Sequence, residues 1–192
     1  MKMRKKIIYG IWLGIVFFLL ILFLVSPSSF SPEKIVTTLN NYQSHLLIAY
    51  TVVSVFRGLI LIPSTPFVLA GVLLFPDQPW AVMVISMIGV IAGSSAIYFF
   101  SDFLGFSNKL ENKYPKKISL WHKRLNSPRA SFFVVGWSFF PFVPTDLLCY
   151  VAGIVKMPFR YLITGVIIGE AIIISLYVFY GTGVVEYLSN SF

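Results

Sequence analysis

The chain has 192 residues, of which 57% are hydrophobic and 11% charged, and its mean hydropathy is +0.84. Because a soluble domain carries about 25% charged residues, this composition predicts an integral membrane protein and argues against a soluble enzyme. The single Cys149 excludes an intrachain disulfide. The net charge of +8 does not predict a nucleic-acid partner, since the basic residues flank apolar segments.

The N-terminal 25 residues are predicted to anchor the chain. Residues 1–6 carry four Lys or Arg, and residues 7–25 are continuously apolar, which is long enough for a bilayer core of ~30 Å. A signal peptide is the alternative, but its apolar region would be shorter and no Ala-x-Ala-like site follows. We therefore expect a transmembrane helix, then an external loop to residue 41 with a serine-capped short helix from about residue 32.

A proline-bracketed break, Pro63-Ser64-Thr65-Pro66, follows the apolar stretch 42–62. Proline lacks a backbone donor and disfavours helix in the residue before it, so the helix should break here. Residues 67–75 would form a helix of only ~13 Å, too short to span. We predict a re-entrant hairpin over 42–75, whose irregular tip must be covered by protein or by a water-filled cavity.

The middle of the chain combines one spanning helix with one basic segment. Residues 80–100 are predicted to cross the membrane, and Gly89 and Gly93 give this helix a face for close packing, or simply reflect ordinary transmembrane composition. Residues 101–129 contain seven Lys or Arg. They are predicted to be a cytoplasmic loop, and an amphipathic surface helix is a compatible alternative.

A second break, Pro141-Phe142-Val143-Pro144, repeats the pattern. It predicts a second re-entrant hairpin over 130–155, a spanning helix over 161–182 and a short tail over 183–192. An Ala-Gly pair follows each break, four residues after Pro66 and eight after Pro144. The longer spacing predicts about one extra helical turn in the second hairpin.

The charges predict the orientation. With the N-terminus in the cytoplasm, segments 1–6, 101–129 and 156–160 are inside and hold 13 of the 15 Lys and Arg residues, as the positive-inside rule expects. The two hairpins then enter from opposite faces. The predicted fold is an all-α integral membrane protein with an N-terminal transmembrane helix and an inverted repeat of re-entrant hairpin plus transmembrane helix, an architecture that many transporters use.

Three ionisable residues, Arg57, Asp146 and Glu170, fall at membrane depth. Charges in lipid are costly, so they should face the interior and pair, with Arg57 contacting Asp146 or Glu170. The pair either forms a substrate site or only holds the hairpin tips together. Because one arginine can pair with only one of the two acids, one carboxylate remains unpaired. This carboxylate could bind a proton, so we expect that transport can be coupled to protons.

The helices that begin near Pro66 and Pro144 should point their N-termini at the membrane midplane. Ser64, Thr65 and Thr145 are suitable caps. Such N-termini attract anions, and together with Arg57 they suit a phosphate. The predicted hairpin-tip residues are Pro63, Ser64, Thr65, Pro66, Pro141, Pro144 and Thr145, and the predicted structural glycines are Gly71, Gly153 and Gly169. Trp137 is assigned to packing or to the interfacial belt, and no motif predicts a metal, a cofactor or an enzymatic nucleophile.

Both breaks resemble known elements of one family. Residues 140–169, which begin FPFVPTDLLCYVAG, and residues 62–75, IPSTPFVLAGVLLF, are similar to the proline-bracketed elements of the SNARE-associated Golgi protein superfamily. Its members are also called VTT-domain proteins and include the bacterial DedA proteins. The resemblance covers about 42–182, and Asp146 matches the acidic position of the DedA pattern.

The resemblance implies paired re-entrant hairpins and the movement of lipids between leaflets. In eukaryotic relatives this is phospholipid scrambling, and in some bacterial ones it is the recycling of polyprenyl-phosphate carriers. This chain departs from the pattern at three places. Ser138 stands where the Golgi-like branch usually has arginine, and Ser64 and Thr145 stand where glycine is usual. Arg57 is the candidate to replace the missing arginine.

The expected function is a flippase or scramblase for phosphate-bearing lipids, with proton coupling as an option. A proton-coupled carrier of a small solute and a non-transporting scaffold are the alternatives; a lateral opening to the bilayer would favour the lipid transporter over the solute carrier. We expect a multi-pass protein of the bacterial inner or plasma membrane, anionic membrane lipids as partners, no nucleic acid, and homo-oligomer formation as a further option.

Overall fold

The computed structural model describes residues 26–57, 62–103, 115–140 and 145–190, together with scattered positions between 10 and 25. Within these ranges the chain is helical and has no strand, as predicted. Most of the predicted N-terminal anchor lies outside the described residues. The same holds for Pro141, Pro144 and residues 104–114 of the basic segment.

Eight α-helices follow one another in the described part of the chain. They are α1 Pro32–Leu39, α2 Leu46–Phe56, α3 Thr65–Leu74, α4 Pro79–Phe103, α5 Pro115–Leu125, α6 Arg129–Ser138, α7 Thr145–Ile154 and α8 Phe159–Asn190. Two 3₁₀ turns, Pro27–Phe30 and Asn40–His45, precede α1 and α2. The predicted serine cap of α1 is confirmed, because the Ser31 hydroxyl accepts a hydrogen bond from the Lys34 amide at 3.3 Å.

Two of the described helices are long and apolar enough to cross a membrane, in the segments Pro79–Ser101 and Phe159–Gly181 of 23 residues each. Helices α3 and α7 have ten residues each, or ~15 Å, so neither can span. The prediction of an extra turn in the second hairpin is wrong. The longer distance from the proline to the Ala-Gly pair instead changes the position of that pair within the helix. The pair lies near the middle of α3 but at the end of α7.

The helices pack crosswise between the two halves of the chain. Helix α3 packs against α8, and α7 packs against α4, so each short helix contacts the long helix of the other half. Within each half, by contrast, α2 packs against α4 and α6 packs against α8, and α4 and α8 contact each other across the two halves. Buried Val82, Val90 and Ile97 lie eight and seven residues apart, which places them on one face of α4. The first break, at Pro63 to Thr65, therefore lies in the same region as Phe140 and Thr145, which flank the second break.

Several predicted boundaries move. Helix α2 begins at Leu46 rather than residue 42, because Tyr42 interrupts the preceding turn with φ −109° and ψ 38°. Helix α4 continues to Phe103, and α8 runs through the predicted tail to Asn190. The segment 101–129 is not simply a loop, since it contains the amphipathic helix α5.

Glycines lie where helices approach most closely. A Cβ built on Gly89 of α4 would stand 2.6 Å from the Ser54 carbonyl oxygen of α2. A Cβ on Gly169 of α8 would stand 2.7 Å from the Ser138 Cβ of α6, and one on Gly71 would meet the Tyr50 ring. These glycines therefore permit helix contacts that any larger residue would force apart.

Substitution of Gly153 by alanine should destabilise the fold. The added Cβ would meet the Ser101 hydroxyl and the backbone carbonyl of Tyr98, and because backbone cannot rotate away, α7 and α4 must separate. We expect a loss of ~1–3 kcal/mol, measured as a lower melting temperature in detergent. The matched control is Gly136→Ala on α6, where the Cβ enters open space. Equal melting temperatures for the two variants would contradict the prediction.

Candidate functional site

Arg57 and Asp146 form a buried ion pair between the two halves of the chain. Arg57 follows the last residue of α2 and is 5% exposed, and Asp146 lies in the first turn of α7 and is 6% exposed. The Arg57 Nη1 lies 3.6 Å from the Asp146 Oδ2 and donates a hydrogen bond to the Ile62 carbonyl at 3.1 Å. The sequence predicted that Arg57 would pair with Asp146 or with Glu170, and in the structure Arg57 pairs with Asp146.

Glu170 completes the charged group from the middle of α8. It is 3% exposed, and its Oε1 accepts a hydrogen bond from the Thr145 hydroxyl at 2.6 Å. Its Oε2 is buried and makes no hydrogen bond within the described part of the chain. A buried carboxylate oxygen without a donor is costly, so Oε2 is a place where a proton, a water molecule or a substrate donor would be stabilised.

These groups surround one small polar cavity of about 20 Å³. It is lined by Arg57, Pro63, Ser64, Thr65, Val90, Ser138, Phe140, Thr145, Asp146, Glu170 and Ile173. One water molecule needs ~10–15 Å³, so the cavity has room for one water and not for a phosphate. A polar group larger than water would therefore enter this cavity only if the surrounding helices moved apart.

The predicted tip residues fall into three groups. Pro63, Ser64, Thr65 and Thr145 line the cavity, whereas Pro66 is the second residue of α3 and does not. Pro141 and Pro144 lie outside the described residues. The prediction that Ser64 caps α3 is wrong, because Ser64 has helical φ and ψ and its side chain makes no capping hydrogen bond. The Thr145 hydroxyl donates to Glu170.

Val90, Ser138, Phe140 and Ile173 line the cavity although sequence reasoning did not place them in the site, and Ser138 and Phe140 bear on its chemistry. Ser138 of α6 is buried, and its Oγ makes no hydrogen bond among the described residues. It therefore stands beside Arg57 in the wall of one cavity. Phe140 follows α6, is largely exposed, and forms another part of the wall. Its position next to Pro141 was the available signal.

Phe140 lines both the polar cavity and an apolar groove on the surface of α6. That groove has a volume of about 430 Å³ and is lined by Phe132, Phe133, Gly136, Trp137 and Phe140. The polar site and an apolar surface thus share one side chain. Among the residues that the structure describes, no group of three His, Cys, Asp or Glu is placed to hold a metal ion.

A comparison with protein families gives one match, to the VTT domain over residues 62–183. The matched segment includes α3, α4, both sides of the second break and most of α8, and it begins after α2 and Arg57. It covers more than half of the chain and confirms the resemblance found in the sequence. No curated protein and no solved structure shows a significant match.

Proposed function

Because this chain belongs to the VTT domain family, whose members are generally membrane proteins of the DedA type, we propose that it moves phosphate-bearing lipids between the leaflets of a membrane. The family and the two long apolar helices together indicate a membrane protein. The substrates that we propose are phospholipid or polyprenyl phosphate. The lipid headgroup passes through the polar cavity while its apolar tail stays on the surface of the protein, and no chemical conversion occurs.

The observation that carries this proposal is the shared wall at Phe140. Arg57 supplies a cation in a buried cavity, and guanidinium groups suit phosphate through paired hydrogen bonds. Phe140 also lines the apolar groove. A lipid needs both a polar path for its headgroup and an apolar surface for its tail. Transport of a small polar solute requires only the polar path.

We propose further that α2–α3 and α6–α7 are re-entrant hairpins related by an inverted repeat. The ten-residue lengths of α3 and α7 support this proposal, as does the crosswise packing of each on the long helix of the other half. In this arrangement the N-terminus and the basic segment lie in the cytoplasm of a bacterial cell. Partners are anionic lipids and further copies of this chain, without nucleic acid.

The charges in the cavity favour proton coupling. One guanidinium and two carboxylates sum to −1 when all are ionised, and this balance repels a phosphate group. A proton on one carboxylate removes that excess, and the acceptor that we propose is the Oε2 of Glu170, which makes no hydrogen bond among the described residues. Neutralised in this way, the cavity leaves Arg57 able to exchange Asp146 for a lipid phosphate.

The test is lipid transfer in proteoliposomes, followed by the accessibility of a fluorescent headgroup. A fluorescent phospholipid and a polyprenyl phosphate are measured in parallel, with and without a pH gradient. We expect transfer of at least one lipid and acceleration by the gradient. In Glu170→Gln the acceleration should disappear, because glutamine keeps the acceptor for Thr145 but cannot bind the proton.

Each other outcome has a defined meaning. Failure to transfer either lipid by folded, inserted protein would overturn the proposal and favour a small-solute carrier. Transfer that responds equally to the gradient in wild type and Glu170→Gln would remove Glu170 as the proton site. Transfer by variants without the Arg57–Asp146 pair would make that pair a structural element only.

A further inference from the structure

A second apolar groove lies between α5, α6 and α7, away from the polar cavity. Its volume is about 430 Å³, within the ~300–1,000 Å³ of typical ligand pockets. Trp121 of α5, Phe133 and Trp137 of α6 and Val151 of α7 contribute to its walls, whose remaining side chains are also apolar. Phe133 and Trp137 line the groove beside Phe140 as well. The groove is therefore long, apolar and formed by three helices.

Cations stand at the edge of this groove. The Arg124 guanidinium lies 5.9 Å from the centre of the Trp121 ring. Lys156 lies between the lining residues Val155 and Met157, where α7 ends. Among residues 115–160 there are seven Lys or Arg and one acid, and that acid, Asp146, is paired with Arg57. The field at the groove therefore favours an anionic occupant.

The backbone holds Lys156 in a conformation that favours glycine. Its φ is 53°, and the amides of Lys156 and Met157 donate to the carbonyls of Gly153 and Ala152 at 3.2 and 2.9 Å. These two bonds form the Schellman motif that ends α7. A lysine in this left-handed position is strained relative to glycine. The motif fixes its backbone at the edge of the groove.

Trp137, which lines the groove, also carries a buried polar group. Its Nε1 is buried and finds no acceptor among the described residues, although a buried tryptophan N–H usually has one. The ester carbonyl of a glycerophospholipid lies between its charged headgroup and its acyl chain. Such a carbonyl would satisfy this donor if the chain lay in the groove and the phosphate lay near Arg124 and Lys156.

We propose that this groove is a binding site for an anionic diacyl phospholipid, with one acyl chain between α5, α6 and α7 and the headgroup at Arg124 and Lys156. This site is separate from the polar cavity. Binding of a phospholipid at this site is an equilibrium. It does not depend on whether the protein transfers lipid between leaflets.

The test is quenching of tryptophan fluorescence by brominated lipids in proteoliposomes of full-length protein. Of the four tryptophans, one variant keeps only Trp137 and a second keeps only Trp80, with phenylalanine at the others. Trp80 is 67% exposed and does not line either groove. Phosphatidylglycerol and phosphatidylcholine brominated at the same chain positions are titrated into an unbrominated bilayer.

We expect Trp137 to reach half-maximal quenching at a mole fraction of phosphatidylglycerol at least about fivefold lower than that of phosphatidylcholine, since one interfacial cation alone would supply about a fivefold preference. Trp80 should not distinguish the two lipids. In the Trp137-only background Val151→Phe places a larger ring in the path of the acyl chain and should remove the preference. The matched control is Val84→Phe on α4, because Val84 is 55% exposed and Val151 is 46% exposed. This control should leave the preference for phosphatidylglycerol unchanged.

Equal quenching of Trp137 by the two lipids would overturn the proposal, and so would a preference that survives Val151→Phe. Arg124→Gln changes an exposed side chain and tests the same site without altering the walls. It should weaken the preference for phosphatidylglycerol, and an unchanged preference would overturn the assignment of the headgroup. None of these readings depends on transfer, so a failure of the proposed transport and a failure of this site are distinguishable.

Discussion

Replacement of Arg57 by alanine should reduce lipid transfer at least about tenfold, because a charged hydrogen bond to phosphate contributes ~1.5–3 kcal/mol. Arg57 is the cation that lines the cavity. Without it, Asp146 and Glu170 would present only negative charge to a lipid headgroup. The measurement is headgroup accessibility in proteoliposomes, with the reconstituted fraction of each variant determined beside it.

A simple loss in Arg57→Ala does not separate transport from folding. Removing one partner of a buried ion pair costs ~3–5 kcal/mol, because the other charge stays buried, whereas replacing both partners by apolar residues of similar volume is often neutral. The control is therefore the double variant Arg57→Met with Asp146→Leu. We expect it to be as stable as wild type and still unable to transfer lipid.

The double variant distinguishes a substrate site from a structural ion pair. If the pair only holds α2 and α7 together, apolar packing replaces it and transfer persists. If Arg57 binds the headgroup, transfer is lost in a protein that melts normally. Persistent transfer in the double variant would contradict the proposed role of Arg57.

Arginine at position 138 should restore transfer to the Arg57→Ala variant. The Ser138 Oγ is buried without a hydrogen bond among the described residues, and Ser138 and Arg57 line the same cavity. Because Ser138 and Arg57 line the same cavity, a longer side chain at position 138 can extend into the space that Arg57 leaves. The guanidinium would then face Asp146 and Glu170 from the second half of the chain.

The control for this rescue is Ser138→Gln in the same background. Glutamine is nearly as long and forms hydrogen bonds but carries no charge. We expect Arg57→Ala with Ser138→Arg to regain most of the wild-type rate and the glutamine variant to regain none. Equal recovery by both, or recovery by neither in folded protein, would mean that a cation supplied from α6 does not replace Arg57.

The sequence by itself determined the elements and the composition of the site. The prolines at 63, 66, 141 and 144 predicted where helices break, and α3 and α7 begin beside them as expected. Apolar runs predicted the two long helices. The rarity of charge in apolar sequence singled out Arg57, Asp146 and Glu170. These signals act over a few residues, so a single sequence is sufficient to read them.

Only the tertiary structure decided which groups meet. Arg57 contacts Asp146 rather than Glu170, Glu170 accepts from Thr145, and the Ser64 hydroxyl does not cap α3. These outcomes depend on the crosswise packing of each short helix against the long helix of the other half, and thus on distances between residues far apart in the chain. The small volume of the cavity and the position of Phe140 in its wall follow from the same packing, which no local pattern encodes.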